Sequence, residues 1–407
     1  MKDSGIQWIG MIPSDWELRK VKSLFHIGRG RVIAVGELSD EGEYPVYSSQ
    51  TKNNGILGYI STYDFDCSQL TWTTDGANAG TVFIRSGKHN CTNVCGTLLP
   101  HDDKNYLPFL KYALEYIAIY HKRADINGYK IMNNEMADIV IHIPPKNEQH
   151  RIANFLDDKC TAIDDVIAKT QESIEEYKKL KQSVITEAVA KGVRGKRPMK
   201  DSGIEWIGQI PKDWDIRPLK AHTSMITPMR DKPEKLNGPI PWIRIEDFSG
   251  KYIEQSKDGL GVSQETIKSM NLKIYPIGSI LCTSSCDLGK CAIVSKQIVS
   301  NQRFINIVPD NNTSSDYLYY LMVSNSDRLN TLSTGAIQAN LSRKEFEHLM
   351  VQFPIFSEQR EIADYLDKKC AAIDSLIEKK QQFIEELTAY KKSLIYEYVT
   401  GKKEVPA

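Results

Sequence analysis

Eight histidines and eight cysteines are the first residues to weigh for chemistry in this 407-residue chain. His89, Cys91 and Cys95, with Cys282, Cys286 and Cys291, form the best candidate for a metal set. Their C-x-x-x-C spacing is looser than that of most structural zinc knuckles, so small buried thiols beside strands are the expected reading. No metal site is expected. The histidines give no H-x-x-x-H face. "DLGKC" at 287–291 lacks the upstream glycine and the Ser/Thr of a phosphate-binding loop. "GRGRVIAVG" at 28–36 has glycines, but neither their spacing nor their surroundings fit a dinucleotide turn. "IPPKNEQ" does not match the Asn/Asp-Pro-Pro-aromatic stretch of an amino-methyltransferase. No catalytic residue can be assigned, and the chain is expected to be non-catalytic.

The elements that could position a binding surface are written twice. "MKDSGIQWIGMIPSDW" opens the chain and "MKDSGIEWIGQIPKDW" stands at 199–214, with thirteen of sixteen positions identical. "NEQHRIANFLDDKCTAID" at 147–164 returns 210 residues later as "SEQREIADYLDKKCAAID" at 357–374. Between these edges, residues 17–146 and 215–356 show almost no obvious identity. Constant edges around divergent middles point to one scaffold presenting two different surfaces. The expected boundaries are a first module at 1–146, a helix at 147–192, a linker and second module at 193–356, a second helix at 357–400 and a tail at 401–407.

Each second phrase opens a long helix, with Asn147 and Ser357 as the expected N-caps after Pro144–Pro145 and Pro354. Seam positions recur by threes and fours: Ile163, Ile167, Thr170, Ile174, Tyr177, Lys181, Val184 and Ala188 in the first copy. The second gives Ile373, Ile377, Lys380, Ile384, Leu387, Lys391, Leu394 and Tyr398. That spacing predicts coiled-coil seams that pair with each other, with Lys181 and Lys391 at one equivalent position that could set register. Short β-like runs such as "TVFIRSG" and "RFINIV", then "YLPFLKYALEYIA" or "SDYLYYLMVSN", predict mixed strand and helix in both middles. Gly80 and Gly289 align before a strand, so the two middles are expected to share one α+β fold. The repeated Trp8, Trp16, Trp206 and Trp214 read as structural anchors.

Net charge is zero. The two helices carry seven basic and nine acidic residues each, leaving +4 elsewhere. A polyanionic partner would therefore have to be met by local patches, not by a basic domain. No apolar run is long enough for a membrane span. The start lacks a secretion-signal layout, and the cysteines are too sparse for a disulfide framework, so the cytoplasm is the expected compartment.

The order of these pieces resembles the specificity subunit of type I restriction–modification systems along nearly the whole chain. The resemblance rests on "DSGIEWIGQIPKDW", on "EQRxIAxxLDxKCxAID", and on "PWIRIEDF", "SNQRF" and "TGAIQANLSR" in the second middle. It implies two target-recognition domains, each reading one half of a bipartite, asymmetric site in double-stranded DNA. It also implies two antiparallel helices, pseudo-two-fold, acting as spacer and as dock for two methyltransferase subunits, with restriction or translocase subunits as further partners. S-adenosylmethionine, ATP and magnesium would then belong to those partners. Candidate DNA-binding residues are Gln50, Lys52, Asn53, Asn54, Arg85 and Lys88 in the first module. In the second they are Arg230, Lys232, Arg244, Lys290, Gln302, Arg303, Gln338, Asn340 and Arg343. The alternative is a coiled-coil scaffold whose two modules bind other ligands and never touch DNA.

Overall fold

The structure is a computed structural model that describes residues 1–6, 9–126, 128–228, 231–285, 288–332 and 341–406, the side chain of Leu332 excepted. Two compact units divide the chain. One comprises residues 1–171 and 381–407, the other 172–380. Each unit thus takes one module, the first part of the helix that follows it and the last part of the helix from the other repeat. The linear boundaries drawn from sequence keep each helix whole, whereas the compact units divide both helices.

In the first unit, strands Val82–Arg85, Gln69–Thr73, Cys95–Pro100 and Phe25–Arg29 form an antiparallel sheet in that order. Gln69–Thr73 is buried along its whole length, which explains why it reads as a run without polar–apolar alternation. Helix Leu107–Ala118 covers this sheet, with Pro108 in its first turn, where a missing N–H costs nothing. A smaller sheet pairs Tyr44–Tyr47 in parallel with Lys88–Cys91. The chain then makes helix Asn133–Asp138, and strand Val140–Ile143 pairs back onto Glu17–Lys20. The core joins Leu70, Trp72 and Leu98 of the sheet to Phe109 and Leu114. It continues into Ile152 and Leu156 of one long helix and Leu394 and Tyr398 of the other.

The second unit repeats this plan. Strands Cys291–Val294, Ile280–Thr283, Phe304–Pro309 and Thr223–Ile226 occur in the same order, extended by Tyr252–Ile253 beside Cys291–Val294. Ile240–Ile243 runs parallel to Val299–Ser300, and Asp215–Pro218 pairs with Met350–Phe353. Gly80 and Gly289 both adopt left-handed backbone, with φ of 91° and 92°. The divergent middles are one α+β fold.

Helices Lys146–Lys191 and Phe356–Val399 start one residue earlier than the sequence suggests. Asn147 and Ser357 lie inside the first turn and do not cap it. The first accepting carbonyls belong to Pro145, reached by the amides of Glu148 (2.8 Å) and Gln149 (3.0 Å), and to Ile355, reached by Gln359 (3.0 Å). Prolines place the preceding chain in extended geometry, so the helix begins directly after them. The repeated glutamine ties the entry together. Gln149 Nε2 donates to the Pro144 carbonyl (2.9 Å) and its Oε1 accepts from Tyr106 N (2.7 Å). Gln359 repeats this with Pro354 (2.9 Å) and Ser314 N (2.8 Å).

All sixteen seam positions are buried or half-buried, in the same order in both helices except that Val184 is half-buried where Leu394 is buried. Within the first unit, Phe155 meets Tyr398 (ring centroids 4.6 Å) and Asp164 meets Lys391 (2.6 Å). One number rises as the other falls, so the two segments run antiparallel. Within the second unit, Tyr177 lies under Lys380 (5.6 Å) and Lys181 meets Asp374 (2.7 Å), again antiparallel. The seam lysines therefore end in equivalent ion pairs and carry no buried, unpaired charge. Side-chain exposures of 32% for Lys181 and 55% for Asp374 place this pair among weak surface bridges. A double-mutant cycle on Lys181→Ala and Asp374→Ala should give a coupling below about 1 kcal/mol. A larger value in chemical denaturation would make the pair a principal stabiliser and not a register mark.

Candidate nucleic-acid interface

Loops at one end of each sheet are joined by backbone hydrogen bonds. In the first module, Thr74 N donates to the Val94 carbonyl (3.0 Å), Ile131 N to the Thr74 carbonyl (2.9 Å) and Arg31 N to the Cys91 carbonyl (3.1 Å). Arg29 Nε reaches the Asn93 carbonyl at 2.5 Å, and Asn78 Nδ2 reaches Thr51 Oγ1 at 3.5 Å. In the second module, Ser284 N donates to the Arg303 carbonyl and Leu341 N to the Ser284 carbonyl, both at 2.8 Å. These bonds tie the loops to one another, so the scaffold fixes where the loop side chains stand.

The second module gathers four of the sequence-predicted residues. Lys232, Arg244, Gln302 and Arg303 line one pocket of about 220 Å³ with Asn301, and the buried Trp242 contributes to its wall. They do not all stand ready for a ligand. Arg244 is held by Asp258 (2.5 Å), Glu246 (3.1 Å) and Asp247 (3.8 Å). Its pKa is raised, chiefly by the hydrogen bond to Asp258. Asp247 is itself fixed by the amides of Arg244 (2.7 Å) and Lys257 (2.9 Å). Arg343 sits in helix Arg343–His348 and pairs with Glu347 at 2.6 Å. Lys290 is exposed, and its carbonyl accepts from Thr283 N (2.9 Å). Arg230, Gln338 and Asn340 lie outside the described residues, as do Trp8 and Cys286.

In the first module, Lys52, Asn53 and Asn54 lie on one exposed turn, where both asparagines take left-handed backbone (φ 49° and 50°). Asparagine tolerates that region better than most residues. Gln50 Nε2 donates to the Ile56 carbonyl and closes the turn. Arg85 departs from the expected loop position. It ends strand Val82–Arg85 and is 1% exposed, so its guanidinium is not on the surface. Nη1 donates to the Asn54 carbonyl (2.8 Å), Nε donates to Thr71 Oγ1 (3.2 Å), and the guanidinium lies 3.6 Å from the Tyr47 ring centroid. Burial lowers its pKa. Arg85 shapes the Lys52–Asn54 turn from beneath. Lys88 is exposed on strand Lys88–Cys91, 4.5 Å from the Tyr63 ring centroid.

The sequence candidates leave out other residues at this end of the first module: Arg29, Arg31, the turn 92–94 and the hairpin Arg123–Asp125/Gly128–Lys130, whose Ile126 is 99% exposed. A signal was available. Applying the 210-residue spacing backwards places Gly128 and Lys130 opposite Gln338 and Asn340. Among the described residues, no group of three His, Cys, Asp or Glu side chains could hold a metal ion. His89 is buried between Gln69 (2.9 Å) and the Gly87 carbonyl (2.8 Å), and Cys282 faces Cys291 at 3.0 Å. Among the described residues, no helix is long and apolar enough to cross a membrane.

The repeated tryptophans divide. Trp16 and Trp214 are buried, and their indoles donate to Glu148 (3.2 Å) and Glu358 (3.1 Å). The first repeated phrase therefore bonds directly to the second in each unit, which accounts for their pairing in sequence. Trp206 is 44% exposed, with the Arg328 guanidinium 4.1 Å from its ring centroid, and so is no buried anchor.

Comparison with known proteins gives a consistent picture. Residues 13–176 and 211–386 each match the type I restriction modification DNA specificity domain. A type I specificity subunit N-terminus from Mycoplasma pneumoniae is 43% identical over 139 residues, 34% of this chain and 74% of that one. The MjaIX specificity subunit of Methanocaldococcus jannaschii is 34% identical over 182 residues, 43% of this chain but only 41% of its own length. The fold is similar to a chain from a structure on assembly and conformational transition of the type I R-M system. There the TM-score is 0.72 at 13% identity, covering 97% of this chain and 100% of that one. The HsdS subunit of Thermoanaerobacter tengcongensis gives 0.51 at 14% identity, covering 99% and 100%.

Proposed function

This chain belongs to the type I restriction modification DNA specificity family, and from that premise we propose how its two modules divide the labour. Each target-recognition domain reads one half of a bipartite, asymmetric site in double-stranded DNA. The chain itself does no chemistry. Two methyltransferase subunits dock on the long helices and bring S-adenosylmethionine, and restriction or translocase subunits supply ATP- and magnesium-dependent steps. Such a complex would work in the cytoplasm.

The observation that carries this reading is one fold used twice with different side chains at equivalent loop positions. Gln302 and Arg303 in the second module stand where the first has Asn93 and Val94. A frame held constant while its loops vary is what independent half-site reading requires, since base edges are told apart by individual polar and apolar side chains. Phosphate contacts would fix register without carrying sequence information.

Fluorescence anisotropy of the full chain on random duplex tests DNA binding. Affinity should fall as salt rises, because each neutralised phosphate releases condensed counterions. Salt-insensitive behaviour would favour the scaffold reading. Co-expression with a methyltransferase partner, followed by methylome sequencing, should return two unlike half-sites around an unread gap. Replacing 17–146 with the corresponding segment of another family member should change only one of them; a change in both would sink modular reading.

A further inference from the structure

The repeat allows base-reading positions to be compared between modules, and this deepening rests on the DNA-recognition reading above. Three independent registers align the two turns. The Thr74 amide bonds to the Val94 carbonyl as the Ser284 amide bonds to the Arg303 carbonyl. Cys91 lies opposite Tyr47 in a parallel pair as Ser300 lies opposite Ile243. Strands Cys95–Pro100 and Phe304–Pro309 then leave the turns in equivalent places of the main sheets. Asn301 is thus the counterpart of Thr92, Gln302 of Asn93 and Arg303 of Val94.

The second turn is rigid and its side chains are available. Asn301 Oδ1 accepts from Arg303 N (2.9 Å), Ser300 Oγ donates to the Asn301 carbonyl (3.2 Å), and Ser300 Oγ also meets the buried Tyr275 hydroxyl (2.9 Å). Gln302 and Arg303 are exposed. Among the described residues neither side chain has a hydrogen-bond or ion-pair partner. The other described candidate arginines differ: Arg244 is enclosed by three carboxylates, Arg343 is paired with Glu347, and Arg85 is buried. A fixed backbone leaves only the side chains to be ordered on binding, and their polar ends have no protein partner to give up. In the first turn, Asn93 is exposed and its carbonyl is held by Arg29, while Val94 offers only an apolar surface.

We propose that these two turns are the base-reading elements and that the pair Arg303/Val94 sets one difference between the half-sites. Arg303 reads the O6 and N7 of a guanine in the major groove, a pairing its forked donors match. Val94, with no donor, packs against the methyl group of a thymine at the equivalent position. Gln302 and Asn93 share one chemistry, each able to pair with the N6 and N7 of an adenine, so the neighbouring position is adenine in both half-sites.

Selection from a randomised duplex library tests this, using the full chain co-expressed with its methyltransferase partner. Wild type should show guanine at one position of one half-site and thymine at the equivalent position of the other. Arg303→Val should relax the guanine preference by about five- to a hundredfold and leave the other half-site unchanged. Val94→Arg should alter one position of the other half-site. Unchanged thermal melting checks that both variants remain folded. Uniform weakening on all sequences with a shallower salt slope would mark Arg303 as a phosphate contact and overturn the assignment, while leaving DNA recognition in place. No change in preference would overturn it too. Loss of salt-sensitive binding in the wild type would instead strike the DNA-recognition reading itself.

Discussion

Replacing Glu358 by Ala should lower the stability of the second unit by about 3–5 kcal/mol, the cost of breaking a buried charge pair. The same change at Glu148 in the first unit should cost less, about 1.5–3 kcal/mol, the loss of one hydrogen bond to a charged group. Sequence alone makes these residues equivalent, since each is the glutamate of the repeated helix-opening phrase. Their partners differ. Glu358 has a fully buried side chain and takes Arg197 at 2.6 Å, Arg194 at 3.7 Å and the Trp214 indole at 3.1 Å. Removing it leaves Arg197, only 14% exposed, without its principal counter-ion. Glycine at 192 permits this approach: a Cβ there would stand 2.3 Å from Arg197 Nη2, on backbone with φ of 73°. Glu148 is half-buried and accepts from Trp16. Its pKa is raised, first by burial and also by the charges of Asp15 and Glu404. Urea titration read by hydrogen exchange in each unit separates the two costs, which one global transition would blur. Equal costs at the two glutamates would refute the argument.

Much of the fold could be read from the sequence because repetition supplies its own control. Seam residues recur at matching positions, and all are buried or half-buried in the structure. The helix caps differ from the sequence expectation for an identifiable reason. Asn147 and Ser357 suit the capping chemistry, but the proline-marked entries already set the backbone, and Gln149 and Gln359 satisfy the neighbouring groups. Local propensity yielded to a tertiary contact, which no window of a few residues can display.

The candidate interface was less legible. Residue type nominated Arg85 and Arg244 equally with Arg303, yet only the structure shows Arg85 beneath a turn and Arg244 enclosed by carboxylates. A long cationic side chain serves packing, ion pairing and DNA contact with the same atoms. What distinguishes the uses is the set of neighbours, brought together from strands far apart in sequence. The hairpin of Arg123–Asp125 and Gly128–Lys130 escaped for another reason: strands of three residues are too short to show an alternating pattern.

His142 supplies the other large expected effect, a loss of stability in the first unit as pH falls from about 6.5 towards 4. It lies opposite Leu18 in strand Val140–Ile143, fully buried, and among the described residues neither ring nitrogen has a hydrogen-bond partner. Burial, with a smaller contribution from the charge of Lys402, pushes its pKa down to about 4. The folded state therefore binds the proton less readily than the unfolded chain, whose histidine titrates near its ordinary value. The imidazole carries no penalty above that ordinary value. As pH falls, the unfolded chain takes up the proton first, and the difference reaches about 3 kcal/mol once pH is below the folded pKa. The counterpart in the second unit is Gln352, opposite Ile216, whose Nε2 donates to the Val189 carbonyl at 3.0 Å. His142→Gln should install that titration-free arrangement in the first unit. Glu148 works in the opposite sense, because a raised carboxyl pKa favours the folded state in acid. It is present in both proteins and cancels in their difference. Urea titration of wild type and His142→Gln at several pH values, read by exchange in the first unit, isolates the histidine. The stability difference should grow by about 3 kcal/mol in favour of the variant between pH 7 and 4, and a difference independent of pH would show that His142 does not titrate as its burial requires.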